Sequence, residues 1–108
     1  MTISQSLERY RKAFEGLTPD TLDDLTDLVA ENIVFSDPFN HVTGRDQFRR
    51  IFAHMFATCD NPRFVVTDAA IGEKAAYLRW QMTGQFKGKR GKAFSLTGMS
   101  EVHFDANG

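Results

Sequence analysis

The sequence predicts an α+β fold, helices first and an antiparallel sheet last. Three observations carry this reading. Apolar residues recur every three or four positions as far as Phe56, the period changes to two beyond Arg63, and the alternating runs are long and joined by short, glycine-bearing connections. Consecutive strands linked by hairpins pair antiparallel, so the helices gather on one face of the sheet rather than alternating with strands.

Taken in order, Ile3, Leu7, Tyr10, Phe14 and Leu17 describe an amphipathic first helix with Tyr10 on its inward face and Gly16 near its end. Thr18-Pro19-Asp20 reads as N-cap, first helical residue and first-turn acid of a second helix. That helix carries Leu22, Leu25, Leu28 and Val29 inward and Asp20, Asp23, Asp24 and Asp27 outward. Ile33-Val34-Phe35 is a short apolar run that ends at an Asp37-Pro38 turn, followed by a loop over 40–44. Thr43 is expected to cap a third helix with the stripe Phe48, Ile51, Phe52, Met55 and Phe56, and Asp60-Asn61-Pro62 to stop it. Strands follow over 63–71, 75–86 and 93–104. In the second of these, Ala76, Leu78, Trp80 and Met82 share one face and Tyr77, Arg79, Gln81 and Thr83 the other. Lys87 to Lys92 is a basic hairpin tip, and Asp105-Ala106-Asn107-Gly108 is a turn. Asn-Gly is a strong hairpin signal, so a further strand is expected after it, apparently missing from this chain.

Composition narrows the function. A chain of 108 residues with 42% hydrophobic content makes one domain, 1–108, with one core. Ten Phe against two Tyr and one Trp suggest either a generous core or an apolar cavity with stiff walls. The formal net charge of −1, with signs interspersed, gives no bulk attraction to nucleic acid or to a membrane surface. A lone Cys59, no apolar leader and no run of membrane-spanning length point to a soluble, cytoplasmic protein. His41, His54 and His103 have no metal-ligand spacing, so neither a metal nor a cofactor is expected.

Chemistry concentrates at Phe35-Ser36-Asp37-Pro38-Phe39. Pro38 biases Asp37 toward extended backbone, and aromatic residues flank the acid on both sides. A carboxylate held against an apolar interior has a raised pKa and can act as a base. The competing reading is an Asp in a strand-exit turn that accepts backbone N–H bonds and faces water.

These residues resemble a family. The run Val29-Ala30-Glu31-Asn32-Ile33-Val34-Phe35-Ser36-Asp37-Pro38, Gly44-Arg45 opening a helix, Leu78-Arg79-Trp80-Gln81-Met82 mid-strand and His103 to Gly108 leading into a hairpin are similar to the nuclear transport factor 2-like superfamily. Its members include ketosteroid isomerases and SnoaL-type polyketide cyclases. The resemblance implies a cone-shaped α+β barrel, in which a curved antiparallel sheet wraps around the N-terminal helices and encloses a pocket. It places Asp37 at the isomerases' general base and Tyr10 at their Tyr donor, given a short insertion near Leu17-Thr18-Pro19. The second donor position falls on Ser100, a rotating hydroxyl where the isomerases carry a neutral carboxylic acid. Pocket walls would come from Phe35, Phe39, Phe52, Phe56, Leu78, Trp80, Met82 and Leu96.

Two functional classes follow: a proton-transfer enzyme on a small apolar carbonyl compound, or a non-catalytic ligand-binding or dimeric interaction module of the same fold. A homodimer through the convex sheet face (Tyr77, Arg79, Gln81, Thr83) is expected in either case.

Overall fold

The computed structural model describes residues 2–36, 40–88 and 91–108. Helix α1 (Ile3–Glu15) opens on a reciprocal cap, in which the Thr2 hydroxyl accepts from the Gln5 N–H at 3.1 Å and the Gln5 side chain accepts from the Thr2 N–H at 2.9 Å. Leu7 and Phe14 are its buried apolar residues, whereas Ile3 stands exposed. Thr18 caps as the sequence predicts, but the turn it caps is a 3₁₀ turn (Pro19–Thr21) that leads into α2 (Leu22–Leu28). Leu22 and Leu25 of α2 are buried and Leu28 is half-buried.

Two expectations are corrected here. The segment expected as a loop over 40–44 contains a strand: β1 (Val34–Ser36) pairs antiparallel with β2 (His41–Thr43), with Phe35 opposite Val42. Thr43 is spent on that pairing, so α3 (Arg45–Thr58) starts from Gly44, whose φ of 103° suits glycine and which offers no side-chain cap. The second correction concerns Asp60-Asn61-Pro62. Helix α3 ends earlier, at Thr58, and the chain enters β3 (Cys59–Ile71) directly. Those three residues make a bulge inside the strand, with Asn61 at φ 50° and a register shift between Asp60 and Arg63. Pro62 is tolerated because β3 is an edge strand and the bulge needs no N–H there.

Strands β4 (Ala76–Phe86) and β5 (Ala93–Val102) complete a three-stranded antiparallel sheet in the order β3-β4-β5. A second shift in β3, between Val66 and Asp68, adds to its curvature. The sheet is not closed, and β5 has no further strand partner among the described residues. Helices α1 and α3 both pack on β3, and α2 packs on α3. The main core lies in that sandwich: Phe14, Leu17, Leu22, Leu25, Val29, Phe48, Phe52, Phe64 and Met82. Among the described residues no helix is long and apolar enough to cross a membrane.

Candidate functional site

The inner face of the sheet is where the predicted site residues meet. Strand alternation and register put Leu78 opposite Ser100, Trp80 opposite Gly98, and Met82 opposite Leu96, all on the face toward the helices. Phe64 and Val66 of β3 continue that face, opposite Met82 and Trp80. Asp37 and Phe39 lie outside the described residues.

On the β3 side the predicted wall residues pack on one another. The Phe35 ring meets Phe48 edge-on at 5.5 Å and Phe52 at 6.1 Å, and Phe48 meets Phe52 at 5.1 Å. Phe14 lies 4.2 Å from Phe64 and 6.3 Å from Trp80 between ring centroids. Phe56 is half-buried against the same cluster. Helix α1 thus fills much of the space between itself and the sheet with its own aromatic side chain. A recess of about 10 Å³, the volume of one water molecule, remains between Ser6, Arg9, Tyr10, Leu28, Phe104 and Gly108.

Tyr10 sits at the junction of two clusters. Its ring stacks on Phe14 at 6.1 Å and also packs against the smaller core of Leu7, Ala76 and Leu78. Burial pushes its phenol up to about 12, so the hydroxyl stays protonated through the physiological range and can only donate or accept as a neutral group. Ser100 is half-buried and faces Leu78 from β5. Its Oγ accepts a hydrogen bond from the Trp80 indole Nε1–H at 3.0 Å. Tyr10 therefore packs on the cluster that contains Leu78, and Ser100 lies across from Leu78 on β5. Leu96 shares the inner face but lies beyond the helices, exposed to 54%.

Three features were not read from the sequence. The Trp80–Ser100 bond needs the register, although a glycine directly across from the only tryptophan would have been a hint once the strands were aligned. The Ser36 hydroxyl bonds to His41 Nδ1 across β1–β2, a pairing that the alternation in His41-Val42-Thr43 could have signalled. The third is the clamp at Arg45, whose guanidinium donates to the Val29 carbonyl from Nε at 3.2 Å and from Nη2 at 2.5 Å. It caps the open end of α2 and ties the start of α3 to it. His54 and the basic tip residues Lys87 and Lys92 are exposed, and Cys59 is buried.

Comparison with known proteins gives this architecture its place. Searching curated proteins finds no match to the sequence. Among solved structures, a nuclear transport factor 2-like protein of unknown function from an Exiguobacterium species superposes with a TM-score of 0.81 at 20% identity, over 94% of this chain and 88% of that one. A protein with a ketosteroid isomerase-like fold from Catenulispora acidiphila, solved with trimethylamine, gives 0.77 at 20% identity over 97% and 79% of the two chains. A candidate polyketide cyclase from Pseudomonas putida gives 0.74 at 15% identity over 98% and 84%. These likenesses establish the fold. The model of the SnoaL-like domain matches residues 9–108, nearly the whole length, and the chain belongs to that family.

Proposed function

We propose that this protein is a small-molecule proton-transfer enzyme of the ketosteroid isomerase/SnoaL-like type, with Asp37 as general base on an apolar, carbonyl-containing ligand. The observation that carries the reading is that two neutral donors sit at the small core of Leu7, Ala76 and Leu78: the Tyr10 phenol, kept protonated by burial, packs on that cluster, and the Ser100 hydroxyl lies on the residue opposite Leu78. Such donors suit an oxygen that gains negative charge. In the reaction, the Asp37 carboxylate takes a proton from the carbon next to a carbonyl, and the C–H electron pair becomes the enolate. The enolate oxygen is held by Tyr10 and Ser100 until the acid returns the proton to the same or another carbon.

The test is hydrogen–deuterium exchange at the α-carbon of aryl and cyclic ketones, followed by NMR in heavy water. Asp37→Asn should slow exchange by about 10²–10⁴-fold and Tyr10→Phe by roughly 10²–10³-fold. Exchange that Asp37→Asn leaves unchanged, or no enzyme-dependent exchange over the panel, overturns the reading.

A second reading is favoured by the convex face, where Val65 and Met99 are exposed to 54% and 67% beside Arg79 and Gln81. A second copy of the chain placed across that face would cover them, as an interaction module or as the dimeric form of the enzyme. A monomer mass by light scattering at micromolar concentration counts against it.

A further inference from the structure

The indole N–H of Trp80 is a donor with no accepting capacity, so in the bond to Ser100 the serine oxygen must be the acceptor. With one of its two lone pairs engaged by Trp80, Ser100 still has its own O–H to give, and among the described residues no acceptor is found for it. Gly98, directly opposite Trp80, holds the arrangement in place: a Cβ there would lie under 3.0 Å from the indole, so only glycine lets the ring lie across β5 toward Ser100. The helices pack on β3, and the inner face of β5 is left more open, with Leu96 exposed next to this pair's strand segment.

From this we infer that Trp80 is a positioning residue that turns Ser100 into a directed hydrogen-bond donor, aimed at a carbonyl oxygen of a small apolar ligand lying on the inner face of β5. The inference deepens the proton-transfer reading and rests on it for the ligand class. A donating group on the acceptor side polarises the hydroxyl and strengthens the bond it gives. It also narrows the rotation of the hydroxyl, because one of the three positions around the oxygen is taken by the indole N–H. The inner face of β5 then supplies each part a carbonyl compound needs: an apolar floor at Leu96, an aromatic wall at Trp80, and one oriented O–H.

The experiment reads binding and spectroscopy, not turnover, on the full chain. Its probes are acetophenone and ethylbenzene, which match in shape and differ in the carbonyl. Trp80 is the only tryptophan, so the indole N–H resonance and the fluorescence report on it alone. Wild type should bind acetophenone more tightly than ethylbenzene, and the bound carbonyl stretch should move to lower wavenumber. Ser100→Ala should weaken acetophenone by about 3–10-fold, leave ethylbenzene unchanged, abolish the stretch shift and move the indole N–H resonance. Trp80→Phe keeps Ser100 yet should reduce the stretch shift, and Gly98→Ala, which pushes the indole away, should do the same. Equal loss for both probes in Ser100→Ala, an unshifted stretch in wild type, or a full shift retained in Trp80→Phe overturns the inference, as does failure of wild type to bind acetophenone. Asp37→Asn separates the two levels. It should stop exchange while leaving the Ser100-dependent carbonyl shift in place, whereas loss of only the shift would leave the general-base reading standing.

Discussion

The two halves of one sheet face behave differently. On the β3 side the inner face carries Phe64 beneath α1 and α3, and Leu78 on the central strand is fully buried at 0% exposure. On the β5 side the same alternation puts Leu96 inward, yet it is exposed to 54%. The alternation is alike in both halves and both carry an apolar residue opposite Met82, Phe64 on β3 and Leu96 on β5. The difference lies in what covers them, since a strand's period determines which way a side chain points and the helices decide whether that direction is dry. The covered half supplies stability, and the uncovered half is where a ligand or a further layer has room.

The contrast is broken most directly at Leu78. Leu78→Ala removes a side chain with no exposure from the junction between Leu7, Ala76 and Tyr10. It should cost about 2–5 kcal/mol, the transfer term plus the cavity left behind, and be read as a lower midpoint in urea with an unchanged slope. A cost under about 1 kcal/mol would mean that this half is looser than its packing indicates.

Alkaline pH tests the same junction through Tyr10. Its folded pKa is raised from 10.0 to about 12 by burial, so the unfolded chain releases this proton first. The stability it contributes is fully present below about pH 10 and is lost as pH rises toward 12. Two pKa units correspond to about 2–3 kcal/mol at most. Wild type should therefore lose more stability than Tyr10→Phe over that interval, with the two compared at each pH to cancel lysine titration. Parallel curves would place the phenol in water.

A third probe sits at the seam where α1 meets β3. On the edge strand β3, just before the register shift between Val66 and Asp68, the Val66 N–H donates to Glu15 of α1 at 3.0 Å. Arg11 in turn bonds both Glu8 and Glu15. Glu15→Ala orphans a half-buried N–H and should cost about 1–2 kcal/mol, while Arg11→Ala, which removes half-buried ion pairs within one helix, should cost about 1 or less. Hydrogen exchange at the Val66 amide distinguishes them, because only Glu15→Ala should speed it markedly.

How much of this was legible follows the same division. Periodicity locates α1, α2, α3 and the three long strands because each alternates or repeats with its own period, whether or not its inner face ends up covered. The Thr18-Pro19 start held because its cap chemistry is local, satisfied within three residues. What failed was non-local. Asp60-Asn61-Pro62 has the composition of a helix stop, but the pairing of Asp60 with Gln85 and of Arg63 with Thr83 on β4 draws the segment into a strand with a bulge. His41 to Thr43 reads as loop until β1 supplies its partner. At the site, the helical period is enough to turn Tyr10 inward, and strand alternation is enough for Leu78, Trp80 and Met82. The Trp80–Ser100 bond depends on which residue β5 sets beside β4, and that register is invisible one strand at a time.

The smallest expected effect is at Leu96. With more than half of its surface already in water, Leu96→Ala removes little buried apolar area and leaves no cavity. The change in unfolding free energy should stay within about 0.5 kcal/mol, against several for Leu78→Ala. The two substitutions delete the same atoms from the same face of the same sheet, so their difference measures coverage alone. Chemical denaturation at two protein concentrations tenfold or more apart makes the comparison sharper. A small, concentration-independent effect agrees with an open inner face on β5. A cost above about 1.5 kcal/mol that grows with concentration would show that a second copy closes this half in solution, and that the contrast between the two halves belongs to the isolated chain.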